Sequence, residues 1–239
     1  MTSNSIIQVA NIGNTSALAN VQHATTDDLH GDQVFLVLRI IDKTGSMLPY
    51  VNEMVESANE NIKALLDSEA NNEFLVSTWL FNSREGFVVL DGFVPLADVT
   101  PLDVNLYGNM KPNDMTNIFD TVHTGLNDPY AGVLAYANQL RLSGITPKIA
   151  VAVFTDGDDN VSRVDTREIR KETQRSEGHY FTLFAFGQGF AQQAATEMGF
   201  PNVLAFNEPH TNIRKAMGTF SKSLVRASQT TVAPNQFIA

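Results

Sequence analysis

Three apolar runs constrain this chain more than any other feature: Val34–Ile41, broken only by Arg39, then Ile149–Phe154 and Tyr180–Phe186. Runs of this length, rich in β-branched and aromatic residues, read as strands buried on both faces, the signature of a parallel sheet covered by helices. They are expected side by side and parallel at the sheet centre. Between them lie stretches with helical spacing, among them Val51, Met54, Val55, Ala58, Ile62, Leu65 and Leu66. Strands alternating with helices predict a doubly wound, three-layer α/β/α sandwich of Rossmann-like type. Glu73–Phe81 and Phe87–Phe93 flank the turn Asn82-Ser83-Arg84-Glu85-Gly86, which predicts a hairpin and hence one antiparallel edge strand on a mostly parallel sheet.

Two of the runs end in oxygen-rich loops. After the first comes Asp42-Lys43-Thr44-Gly45-Ser46, with a helix expected to follow; after the second comes Thr155-Asp156-Gly157-Asp158-Asp159-Asn160. Between them, Pro112–Ile118 is a turn-rich loop entering a helix and containing Thr116. Strand ends of open α/β sheets are where ligands bind. The side chains are carboxylates and hydroxyls, and the chain has no Cys. Hard oxygen donors suit Mg²⁺, Mn²⁺ or Ca²⁺ rather than zinc.

This arrangement resembles the von Willebrand factor type A domain, whose metal-ion-dependent adhesion site is written D-x-S-x-S, a distant Thr, and a distant Asp after a strand. Here the five positions are Asp42, Thr44, Ser46, Thr116 and Asp156, with Thr44 in place of the usual Ser. The resemblance spans about residues 33 to 226 and extends to small stand-alone versions from bacteria and phages, through Thr155-Asp156-Gly157-Asp158-Asp159-Asn160-Val161-Ser162. It implies that Thr44, Ser46 and Thr116 touch or approach a divalent cation, while Asp42 and Asp156 act largely through waters and hydroxyls. It also implies a protein partner that offers an Asp or Glu carboxylate to the metal. Gly45 and Gly157 are expected to let the backbone turn tightly beside the metal.

Each piece also has a plainer reading. Asp42 and Thr116 could each cap the following helix, and Asp156-Gly157 could be an ordinary turn. Three such pieces, each at a strand or loop end and in family order, favour a site. Asp114, Asp158 and Asp159 read as solvated loop acids. The five His residues show no ligand spacing and are expected at the surface. Trp79 and the Phe residues read as core.

Composition narrows the class. The net charge of −10 argues against nucleic-acid binding. No positively charged start with an apolar core marks a secretory signal, and no apolar run approaches the ~20 residues of a membrane span. A cytoplasmic protein without membrane insertion is expected, or a virion protein if phage-encoded. Residues 1–32 are expected to be a surface arm, 33–227 the domain and 228–239 a loose tail.

Two other functions are open. Asp42-Lys43-Thr44-Gly45-Ser46 also resembles the D-K-T-G-T phosphorylation motif of the haloacid dehalogenase superfamily, with Asp42 as nucleophile beside Mg²⁺. Against it stand the helix expected directly after Ser46 and the lack of an ordered G-D-G-x-N-D. A structural role in a phage particle is the other. A non-enzymatic, metal-dependent binding module is the expectation.

Overall fold

Alternate residues of the strand Gln33–Asp42 (β2) enter opposite faces of the sheet, as its two-residue repeat requires. Phe35, Val37 and Ile41 join one hydrophobic cluster; Val34, Leu36, Leu38 and Ile40 join the other. Both faces are therefore covered. A computed structural model of the chain describes residues 6–9, 16–29, 33–70, 74–108, 110–175, 178–187, 190–206 and 209–238.

The remaining strands are Ile7–Val9 (β1), Phe74–Asn82 (β3), Gly86–Pro95 (β4), Thr146–Thr155 (β5), Tyr180–Phe186 (β6) and Asn202–Phe206 (β7). Their order across the sheet is β1-β4-β3-β2-β5-β6-β7. From β3 through β7 every neighbouring pair is parallel, and the three apolar runs form the consecutive strands β2, β5 and β6. β4 runs antiparallel to β3. It is not the outermost strand, because the short β1 pairs antiparallel with it at Phe87–Val89.

Helices Val51–Leu66 (α1) and Pro209–Gln229 (α6) cover one face. Ile118–Asn127 (α2), Val133–Leu142 (α3), Thr166–Arg175 (α4) and Ala191–Met198 (α5) cover the other. The segment after Ser46 is a 3₁₀ turn, Gly45–Tyr50, before it becomes α1. Just before α3, Asp128 accepts the Tyr130 and Ala131 amides and holds a turn.

Arg39, inside β2, is 1 % exposed. Its guanidinium donates to Thr78 Oγ1, the Ala58 carbonyl and Asn61 Oδ1, and Asn61 donates to Ser221 Oγ on α6. A buried cation persists only when its donors are satisfied. Here that satisfaction ties β2, β3, α1 and α6 together.

The described parts of both flanking segments pack against the domain. Leu18 and Val9 are buried in the second cluster. The segment expected to be a loose tail is held instead: Phe237 is 0 % exposed and stacks on Tyr180 with ring centroids 4.4 Å apart. Tyr180 Oη donates to the Val232 carbonyl, and Arg226 donates to the carbonyls of Gln236 and Phe237. Among the described residues, no helix is long and apolar enough to cross a membrane.

Two histidines expected at the surface are structural instead. His23 Nδ1 accepts the Phe93 amide, and its ring stacks on Phe93 and Tyr136. His179 is buried, with Nδ1 accepting the Ile149 amide where β5 enters the sheet. His30 and the His210 side chain lie outside the described residues.

Burial, helped by the nearby Arg141 cation, lowers the His179 pKa to about 4. A histidine held neutral in the fold contributes stability above its unfolded pKa, and that contribution is lost as pH falls from about 6.5 toward 4. The loss is expected to be on the order of 3 kcal/mol. Urea titrations across this interval should show the midpoint falling, and His179→Asn, whose Oδ1 can replace the acceptor, should reduce the fall. An unchanged slope in the variant would remove His179 from this role.

Candidate metal site

The site is built where β2 and β5 end. Asp42 is the last residue of β2 and Thr155 the last of β5. Asp42 is wholly buried, and each of its carboxylate oxygens has a partner: Oδ1 accepts the Thr44 amide at 2.7 Å, and Oδ2 accepts the Thr155 hydroxyl at 2.5 Å. The first bond bends the chain immediately past the strand. It brings the Thr44 and Ser46 hydroxyl oxygens 3.1 Å apart. Ser46 Oγ then donates to Asp156 Oδ1 at 2.7 Å, closing the gap between the two strand-end loops. Ser46 is exposed and Asp156 half-buried, whereas Thr44 and Thr116 are buried. Solvent therefore reaches the cluster along its Ser46–Asp156 side.

Thr116 enters from the third loop. A Cβ on Gly157 would lie 2.9 Å from Thr116 Oγ1, so the absence of a side chain there admits the threonine. The Thr116 carbonyl accepts the Asn160 amide at 2.9 Å. Gly45 works in the same way, since a Cβ there would collide with the Lys111 carbonyl oxygen and Pro112. Neither glycine has a positive φ. Their role is close approach between loops, not the tight turn expected from the sequence.

The helix-capping readings do not describe these residues. Asp42 spends both oxygens on Thr44 and Thr155, and the N-cap of α2 is Asn117 rather than Thr116. The start of α2 is capped from outside. Asp159 Oδ1 accepts the Phe119 amide and Ser162 Oγ accepts the Asp120 amide, while Asp120 in return accepts the amides of Arg163 and Val164. Asp159, expected to be a solvated acid, is thus half-buried and fully used. Asp114 likewise accepts from Arg84 Nε at 2.7 Å and from the Lys111 amide at 2.8 Å. Among the described residues, Asp158 alone of these three is an exposed acid without such partners.

The loop that carries Thr116 is clamped to the β3–β4 hairpin. Ser83 N donates to the Met115 carbonyl, and Met115 N donates to Ser83 Oγ. Lys43 pairs with Glu85 at 2.7 Å, nearly buried. The hairpin tip is thereby tied to both the first and the second site loop.

Burial pushes the Asp42 carboxyl up to about 7 against the hydrogen bonds from Thr155 and Thr44, and the neighbouring Asp156 charge adds to the rise. Burial raises Asp156 as well, opposed by Ser46. Among the described residues, the side-chain amide of Asn117, next to Thr116 and 1 % exposed, finds no partner for either atom. Among the described residues, no three His, Cys, Asp or Glu side chains gather into a metal cage. The donor set is instead hydroxyl oxygens backed by carboxylates, which fits a hard divalent cation that retains waters.

Sequence reading missed Thr155 as a site residue, although it belongs to the quoted Thr155–Ser162 stretch. Its hydroxyl orients Asp42 and accepts the Gly157 amide. The signal available was its place as the final residue of a buried strand, directly before the site carboxylate.

No family model matches the sequence, and no curated protein matches it. Solved structures do. One is proximal thread matrix protein 1 from the mussel byssus, in a form with a zinc-occupied MIDAS motif. It aligns with a TM-score of 0.52 at 16% identity, covering 78% of this chain and 46% of that one. Another is the pilus adhesin SpaC from Lactobacillus rhamnosus GG in its open conformation, with a TM-score of 0.60 at 9% identity, covering 83% of this chain and 31% of that one. The chain thus spans less than half the length of either. Mostly parallel, flanked by helices on both faces and closed by an antiparallel edge pair, the chain has the von Willebrand factor type A fold.

Proposed function

We propose that this chain is a divalent-metal-dependent protein-binding module that captures an acidic side chain of a partner, and that it is not an enzyme. The observation that carries the reading is the Ser46–Asp156 hydrogen bond, which joins two strand-end loops into one solvent-reachable cluster with Thr44. Ser46, Thr44 and Thr116 would hold the cation, with Asp42 and Asp156 behind them. A bound cation ringed largely by neutral hydroxyls would supply an electrophilic position for one further anionic oxygen. Mg²⁺ is the cation expected, with Mn²⁺ or Ca²⁺ as substitutes; the mussel protein carries zinc at its MIDAS motif.

The surroundings support binding. Leu48, two residues after Ser46, is 42% exposed, and Met115, next to Thr116, is 46% exposed. Apolar side chains displayed beside a polar centre are what a protein partner can cover. That one neighbour is a pilus adhesin agrees with this reading.

The phosphotransfer alternative is disfavoured by Asp42 itself. A nucleophilic carboxylate must present a free oxygen to phosphorus. Asp42 is 0 % exposed and both oxygens are engaged. Among the described residues, no histidine takes part in the cluster as a general base.

Calorimetric titration with Mg²⁺ and Mn²⁺ is expected to show binding that Ser46→Ala, Thr116→Ala and Asp156→Ala weaken by about tenfold or more, while Thr44→Ser retains it. Asp156→Ala should leave the circular dichroism unchanged, since Asp156 lies at the surface end of a strand. Protein captured from the native host in Mg²⁺ should be released by EDTA. Unchanged metal affinity in all three alanine variants, or phosphate-ester turnover abolished by Asp42→Asn, would overturn the proposal.

Thr155→Val keeps the shape and removes the hydroxyl, leaving Asp42 Oδ2 buried without its donor. It is expected to cost about 1–3 kcal/mol in denaturant unfolding and to lower metal affinity by about 10–100-fold. Thr155→Ser should restore both. A neutral Thr155→Val would show that Asp42 is oriented by other contacts.

A further inference from the structure

Beside the metal-site loops lies a cavity of ≈ 370 Å³, inside the ~300–1,000 Å³ range of small-ligand pockets. It is lined by Phe119 at the start of α2, by Asp158 and Asp159 of the loop after β5, and by Phe190, Gln193 and Glu197 of the α5 region. Phe119 stands three residues beyond Thr116, and Asp158 two beyond Asp156, so the cavity opens off the same two loops.

Its chemistry is one-sided. Among the described residues, three carboxylates line it and no lysine or arginine does. Several other acids of the chain have cations: Asp114 has Arg84, Glu85 has Lys43 and Glu60 has Arg214. Asp158 has neither a hydrogen bond nor an ion pair among the described residues. Glu197 accepts only from the neutral Gln193 side chain. Arg170 on α4 gives its N–H groups to the Thr196 and Glu197 main-chain oxygens. Asp159 is occupied by Ser162 and Phe119, and burial holds its carboxyl above its ordinary range.

The carboxylates are not gathered around one point: among the described residues no acidic trio could hold a metal ion. Charge spread around an aromatic-lined hollow suits a delocalised, planar cation better than a point charge. We propose that this cavity binds an arginine guanidinium presented by the partner of the metal site, so that the partner is recognised by an acidic and a basic side chain together. The pairing of the two groups on one partner rests on the binding role proposed above; the selectivity of the cavity does not.

The test uses the full chain, ¹⁵N-labelled, in EDTA. Titration with N-acetyl-arginine methylamide is expected to give saturable shifts at Phe119, Gln193 and Asp158, and the isosteric neutral citrulline compound is not. The Asp158→Asn/Glu197→Gln double variant should weaken the arginine response by about tenfold. In Mg²⁺, peptides joining Asp to Arg through glycine spacers of varied length should include one that binds about tenfold more tightly than its citrulline twin, and the double variant should erase that gap. Equal response to citrulline, shifts outside the cavity, or an unaffected double variant would overturn the assignment. Arginine binding in EDTA combined with no metal binding by calorimetry would instead overturn the metal reading and leave the cavity assigned.

Discussion

A strand buried on both faces can present polar side chains only where it stops. β2 and β5 run parallel in the middle of the sheet, so they stop at the same edge. Asp42 and Thr155 meet there, and the 2.5 Å bond between them joins the two strand ends. A buried carboxylate without donors would destabilise the fold. Supplied by Thr44 and Thr155, it fixes the direction in which the chain leaves β2, and with it the positions of Thr44 and Ser46. The loop geometry of the site follows from satisfying this one desolvated group.

Close contact between loops does the rest. Gly45 and Gly157 are places where a neighbouring loop needs the volume of a side chain. Asp159 and Ser162 cap α2 from outside, and Asp120 caps back. The loop carrying Thr116 is therefore held from the hairpin side by Ser83 and Arg84, and from the α4 side by Asn160. A site assembled from three separated stretches becomes one object through these bonds.

Much of this was legible in the sequence. Continuous apolar runs identify β2, β5 and β6 because burial on both faces leaves no polar alternation. The five oxygen-bearing positions stand out because they follow those runs, and the structure brings Asp42, Thr44, Ser46 and Asp156 into one hydrogen-bonded cluster, with Thr116 against Gly157. What could not be read depends on contacts between distant residues. The place of Thr155 at a strand end is local, but its pairing with Asp42 is not, nor is the role of Asp159 as a cap for another helix or of His179 as the acceptor of a strand amide. Phe237 follows a polar stretch with Pro234, a pattern that suggests disorder until Tyr180 and Phe220 provide its pocket. Arg39 reads as a blemish in an apolar strand, and only Thr78, Ala58 and Asn61 explain its presence.

The N-terminal segment has a consequence of another kind. A sheet edge formed by the apolar β4 would offer unpaired main-chain groups to any passing strand. β1 occupies that edge at Phe87–Val89. Farther along, Ala24 donates to the Phe93 carbonyl, His23 receives the Phe93 amide, and Gly92 leaves room for the Gln22 carbonyl. These residues before β2 thus shield the strand most able to recruit copies of the chain, and a protein clipped before β2 would gain a template for aggregation while keeping every residue of the candidate site.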